Sequence, residues 1–351
     1  MGALLELQRL TIELPTARGA VRPVNDVSLQ IGEGEALGLV GESGSGKTML
    51  ALTLMGLLPP GARPTGQALY YPENLEAVRS SAPEPRLRMR AIPPSVSPAS
   101  DHRFTPLNLA ALPESHWRQV RGREIAMVFQ EPMTALNPVL RAGAQVEEAV
   151  RAHEPKLDSG EAHRRALEAM KLAAVPEPQV RAKQFPHQLS GGLRQRVLIA
   201  MAIAGGPRFL IADEPTTALD VTVQKEILAL LDRLRRELGL GLLFITHDFG
   251  VVAQVAERVA VMYAGRIVEE GPTCEVLARP RHPYTEGLLA ASPRLQRDAL
   301  RPIAGTVPPL TALPPGCAFE PRCPKRVPQC RAGVPDLRPA SPGHTARCIL
   351  V

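Results

Sequence analysis

Gly41-Glu42-Ser43-Gly44-Ser45-Gly46-Lys47-Thr48 puts glycines, a lysine and a hydroxyl at the spacing G-x-x-x-x-G-K-[ST], which suits the wrapping of a phosphate. Glycines let the backbone turn tightly, so that N–H groups and a helix N-terminus point at one anion. Lys47 is then placed to reach the β- and γ-phosphates of a nucleoside triphosphate and the Thr48 hydroxyl to ligate Mg²⁺, with Met49 following in the helix. Asp213-Glu214 adds two carboxylates at the end of an apolar run, one suited to a Mg²⁺-bound water and one to polarising an attacking water. Gln130 and His247 each follow a further apolar run. Taken singly, Asp213 reads equally as a helix cap, His247 as a loop histidine and Gln130 as a surface amide; their shared position at strand ends favours one site. Ser190-Gly191-Gly192 offers a second set of N–H donors at a helix start. One loop already serves the nucleotide, so this second set is expected to serve the nucleotide of another subunit.

These residues need a scaffold, and the apolar pattern supplies one. Four continuous runs, Ala36–Val40, Ile125–Phe129, Phe209–Ala212 and Leu242–Ile245, suit parallel strands buried on both faces. Helices are expected near 47–57, 143–153, 160–174, 190–205 and 221–238, and a hairpin joins Val259–Tyr263 to Arg266–Glu270. Residues 4–14 and 24–31 alternate as antiparallel strands do. The class is α/β. Residues 72–106 carry seven prolines and five arginines with little apolar periodicity, and read as a partly disordered surface insertion. Beyond Gly271 the chain turns Pro-rich, Cys-rich and basic, which marks a separate extension.

Length and composition exclude whole function classes. The 351 residues are 44% hydrophobic and 22% charged, values of a globular protein. No run approaches the length of a membrane span, and the N-terminus lacks a signal-peptide pattern, so a cytoplasmic setting is expected. The formal charge of +6 would suit nucleic acid, but only six of the 41 basic residues are lysines, a usage that coding bias also produces.

The combination of the 41–48 loop, Gln130, Ser190-Gly191-Gly192, Phe209–Asp213, Glu214, Ala218-Leu219-Asp220 and His247 resembles the ATP-binding subunit of ABC transporters over about residues 4–271. Gln130–Pro138, Ala212–Thr222, His282-Pro283-Tyr284-Thr285 and Gly316–Cys323 are similar to the dipeptide/oligopeptide (peptide/nickel) importer group, and within it to the "D"-type ATPase. The resemblance implies a P-loop cassette at 1–271, with a mostly parallel core sheet, an antiparallel β subdomain and a helical signature subdomain, followed by a small Cys-rich extension at 272–351. It implies ATP and Mg²⁺ as ligands, with Mg²⁺ near Thr48 and Gln130. Gly41, Glu42, Ser43, Gly44, Ser45, Gly46, Lys47, Thr48, Met49 and Asp213 would hold the nucleotide, with Ser190, Gly191 and Gly192 from across a dimer. Glu214, His247, Lys47 and Gln130 would carry hydrolysis. Two permeases, a second homologous ATPase and, indirectly, an extracytoplasmic binding protein are the implied partners, at the cytoplasmic face of the membrane and without nucleic acid. A metal- or redox-sensing, or nucleic-acid-associated, ABC ATPase is the alternative. The signature reads Leu193 where glutamine is usual, and Leu14 stands near the place of the adenine-stacking aromatic.

Cys317, Cys323, Cys330 and Cys348 are separated by five, six and seventeen residues, gaps that do not match paired zinc ligands. Disulfides are disfavoured in a reducing compartment. Iron–sulfur clusters accept wider spacing, and seven Arg or Lys against two acidic residues from 301 onward would offset a cluster's charge. Some members of the similar importer group hold a four-iron cluster there, so a [4Fe–4S] site on these four cysteines is expected; zinc and plain thiols are the alternatives. Cys274 is left out as a lone residue.

Overall fold

The computed structural model describes residues 2–17, 19–73, 105–130, 135–217, 219–292 and 302–351. Residues 74–104, the bulk of the expected insertion, lie outside that set, as do 131–134 and Ala218. Two sheets organise the rest. β1 (Ala3–Thr16), β2 (Gly19–Gly32), β4 (Arg63–Tyr70) and β5 (Leu107–Asn108) form an antiparallel sheet in the order β2-β1-β4-β5. β3 (Ala36–Val40), β6 (Ile125–Val128), β7 (Phe209–Asp213), β8 (Gly241–Thr246), β9 (Arg258–Tyr263), β10 (Arg266–Pro272), β11 (Arg338–Ser341) and β12 (His344–Ala346) form the second. Its order is β11-β12-β10-β9-β3-β8-β7-β6, parallel from β9 through β6 and antiparallel beyond β9.

Every residue of β3, β6, β7 and β8 is buried, because successive side chains feed two different cores. Ala36, Val40, Leu242 and Phe244 face one core, built with the helices Ala142–Arg151, Ser159–Leu172, Gly191–Ile203 and Val221–Leu238. Leu37, Leu39, Leu243 and Ile245 face the other, shared with β1, β2 and the helix Lys47–Leu54. That two-sided burial is why these strands read as unbroken apolar runs. Helix ends carry local signals: the Asp220 carboxylate accepts from the N–H groups of Thr222 and Val223, and Gly239 ends the same helix at φ 64°.

The C-terminal segment is joined to the second sheet, where the sequence suggests a separate piece. β12 pairs with β10 at Glu269↔Ala346 and Glu270↔Thr345. Tyr284 and Phe319 are buried in the first core, in an aromatic cluster with Tyr263 whose ring centroids lie 4.5–5.3 Å apart. Below them the Glu269 carboxylate, 0% exposed, accepts from the N–H of Arg281 at 2.7 Å and of His282 at 2.9 Å. It also lies 2.7 Å from Nε2 of His344, which is 1% exposed. A buried carboxylate is tolerable only when its lone pairs are matched in this way.

Candidate functional site

Parallel register brings the chemistry together. Val40 stands opposite Thr246, Asp213 opposite Ile245 and Val128 opposite Ala212, so the carboxyl ends of β3, β8, β7 and β6 lie side by side. The loop after β3 needs its glycines. A Cβ on Gly41 would stand 2.2 Å from the Met262 carbonyl oxygen, and one on Gly46, at φ 110°, 2.0 Å from that of Pro23. Lys47 Nζ is folded onto this loop, donating to the carbonyls of Gly41 at 2.7 Å and Glu42 at 2.9 Å and to Ser45 Oγ at 3.4 Å. Burial lowers the Lys47 pKa, while Glu214, Asp213 and Glu42 favour its charge.

Asp213 is 2% exposed, and burial raises its pKa against the pull of the Thr48 hydroxyl and Lys47. Its Oδ1 is buried without a hydrogen-bond partner among the described residues. An orphaned carboxylate oxygen beside a threonine hydroxyl suits a divalent cation, held directly or through water. Glu214 follows at φ 46°, a conformation unfavourable for a side chain with a Cβ, and its N–H donates to the Ile245 carbonyl at 2.9 Å. Three groups hold its carboxylate: His247 Nδ1 at 3.2 Å, Thr217 Oγ1 at 2.9 Å and Gln130 Nε2 at 3.3 Å. The His247 bond lowers the Glu214 pKa and raises that of His247. The arrangement offers a carboxylate bonded to a histidine and within charge range of Lys47 on the 41–48 loop.

Ser190, Gly191 and Gly192 have other neighbours. The Ser190 hydroxyl accepts from the Leu193 N–H at 3.3 Å and caps the helix Gly191–Ile203. Cβ atoms on Gly191 and Gly192 would stand 3.4 Å from Leu219 and 2.6 Å from Val223, so this helix start is packed on the Val221–Leu238 segment. Sequence reasoning missed Thr217, whose only signal is its place three residues after Glu214. It also treated Tyr284 and Arg322 as family marks and gave them no contact with the loop.

The four tail cysteines converge in space, near enough for Cys323, Cys330 and Cys348 each to act on the charge of Cys317. Among the described residues no group of three or more His, Cys, Asp or Glu is set to hold a metal ion. Burial pushes the Cys317 thiol up to about 11 and raises Cys323 and Cys348 as well. Nothing among the described residues supports the [4Fe–4S] expectation for Cys317, Cys323, Cys330 and Cys348, since spacing along the chain does not report side-chain direction.

Residues 24–217 match the family model described as ABC transporter, and residues 268–330 match that of the oligopeptide/dipeptide transporter C-terminal region. The dipeptide transport ATP-binding protein DppD of Bacillus subtilis (strain 168) is 41% identical over 353 residues, covering 100% of this chain and 95% of DppD. The oligopeptide transport ATP-binding protein OppD of the same organism is 44% identical over 319 residues, covering 90% of this chain and 80% of OppD. Among solved structures, a dimeric ATP-binding cassette in a post-hydrolysis state bound to ADP and Pi matches with a TM-score of 0.59 at 28% identity, over 77% of this chain and 98% of that one.

Proposed function

The chain belongs to the ABC transporter family, in its oligopeptide/dipeptide group of ATP-binding proteins, and from that membership we propose that it hydrolyses ATP to drive the import of peptides. The observation that carries the reading is Glu214, held by His247, Thr217 and Gln130 at the strand end beside Lys47 and the 41–48 loop. In this proposal 1–271 is the catalytic cassette and 272–351 its extension. The loop and Lys47 bind the triphosphate, exchanging the carbonyls that Lys47 now contacts for phosphate oxygens. Thr48 and the unpartnered Oδ1 of Asp213 suit Mg²⁺, with Gln130 near enough to take part. When bound, the ion neutralises charge on the β- and γ-phosphate oxygens. Glu214 orients the attacking water and accepts its proton, and His247 holds Glu214 and faces the γ-phosphate. Ser190-Gly191-Gly192, packed on Leu219 and Val223, serves the nucleotide of a second, homologous ATPase in a head-to-tail dimer. Two permeases, supplied by an extracytoplasmic binding protein, complete the importer, with this chain on the cytoplasmic face. Among the described residues no helix is long and apolar enough to cross a membrane.

The test is reconstitution of the chain with its neighbouring permeases, partner ATPase and binding protein in vesicles. Peptide-stimulated ATP hydrolysis, abolished by Glu214→Gln in this chain together with the matching change in its partner, is expected. ATPase activity indifferent to the permeases and to peptide would refute the importer role.

A further inference from the structure

Glu42, the second residue of the phosphate loop, is held from the tail at two points. The Arg322 guanidinium makes a two-pronged pair with its carboxylate, Nη1 to Oε2 at 2.7 Å and Nη2 to Oε1 at 3.0 Å. The Tyr284 hydroxyl accepts from the Glu42 N–H at 2.8 Å. A third tie is internal, since Lys47 Nζ donates to the Glu42 carbonyl. Arg322 is itself fixed. Its side chain is 4% exposed, its Nε donates to the Ala304 carbonyl at 3.1 Å, and the guanidinium lies 5.9 Å from the ring centroids of Tyr263 and Phe319. The turn that carries it is pinned where the Cys317 N–H donates to the Cys330 carbonyl at 2.8 Å.

We propose that Arg322 is a positioning residue of the phosphate-binding loop: from the C-terminal extension it neutralises and orients Glu42, so that the loop's N–H groups stand ready for the triphosphate. The inference rests on the reading of 41–48 as the nucleotide site. A carboxylate beside a cradle for a multiply charged anion repels that anion unless it is paired, and a planar guanidinium pairs it in one geometry where an ammonium would not. Arg322 touches no reacting atom; it acts through Glu42. Loss of the pair then weakens nucleotide binding more than it slows the chemical step, because Lys47 and Glu214 remain in place.

The experiment measures ATPase kinetics of the assembled full-length transporter with Mg²⁺-ATP, with folding of each variant followed by thermal melting. Arg322→Met is expected to raise KM for ATP about 10-fold while kcat falls about two-fold or less. Arg322→Lys, which keeps the charge, and Tyr284→Phe, which removes one acceptor, are each expected to raise KM about three-fold; they carry the test if Arg322→Met does not fold. Glu42→Gln added to Arg322→Met should recover part of the lost affinity by removing the unpaired charge, which no purely structural role of the tail predicts. A wild-type KM in the folded Arg322 variants, or a double variant no better than Arg322→Met, overturns the inference alone. A wild-type transporter that neither binds nor hydrolyses ATP overturns the reading of 41–48, and the inference with it.

Discussion

The ends of the parallel strands and the C-terminal tail make an instructive contrast. In the first, chemistry sits within a few residues of the strand that presents it: Lys47 opens the helix after the β3 loop, Asp213 ends β7, and His247 follows β8 by one residue. In the second, the contacts that matter cross the chain. Arg322 meets Glu42 across 280 positions and His344 meets Glu269 across 75. Both regions are dense in charged or reactive side chains, but only the first encodes its geometry in local spacing. A motif read along the chain is dependable where backbone continuity positions the groups, and weak where packing does.

The largest expected effect lies at the strand ends. Glu214→Gln should lower the ATP hydrolysis rate by about 10²–10⁴-fold while nucleotide binding persists, as single-turnover and equilibrium binding measurements would show. A variant hydrolysing at the normal rate would remove the distinction between the two regions, since the best-read residue would then do nothing.

In the tail the next effects should appear as stability. Phe319→Ala empties the aromatic cluster with Tyr263 and Tyr284, and about 3–5 kcal/mol of unfolding free energy should be lost in urea. Glu269→Ala leaves the buried His344 and two N–H groups without their acceptor, with a cost of about 3–5 kcal/mol. If either change melted only the tail and left the cassette's transition intact, 272–351 would be the separate piece that its composition suggests.

A smaller effect concerns protons. The bond between His247 and Glu214 raises the first from its ordinary 6.5 and lowers the second from 4.5. Stability from His247 is fully present below pH 6.5 and is lost as pH rises through its folded-state value; stability from Glu214 is present above pH 4.5 and is lost as pH falls through its own. The pair is therefore worth most between pH 4.5 and 6.5. An NMR titration of the nucleotide-free chain should place the His247 midpoint above 6.5 and show it falling in Glu214→Gln. The smallest effect belongs to the exposed Cys274, where serine should change stability by less than about 0.5 kcal/mol.

The strands β3, β6, β7 and β8, the 209–213 and 241–246 ends, and the helices after them were legible because burial on both faces demands continuous apolar runs. Gln130 and His247 were legible from their place after such runs. The packing of the tail was not legible, for the opposite reason. Its apolar residues are few, and Tyr284 and Phe319 complete a core shared with β9 and the helices Ala142–Arg151, Ser159–Leu172, Gly191–Ile203 and Val221–Leu238. Its cysteines are spaced as ligands could be, yet no group among the described residues is set to hold a metal ion.

By itself the sequence determined the glycine-rich 41–48 loop, the acidic strand end and the family, because a chain of fixed bond lengths cannot separate residues that are a few positions apart. The tertiary structure alone decided that β12 extends the second sheet, that Glu214 is held from three sides, and that Arg322 and Tyr284 grip Glu42. Those contacts depend on where distant segments pack, and the free energy that selects them comes from burying apolar surface and pairing buried charge, neither of which is a property of any local stretch of sequence.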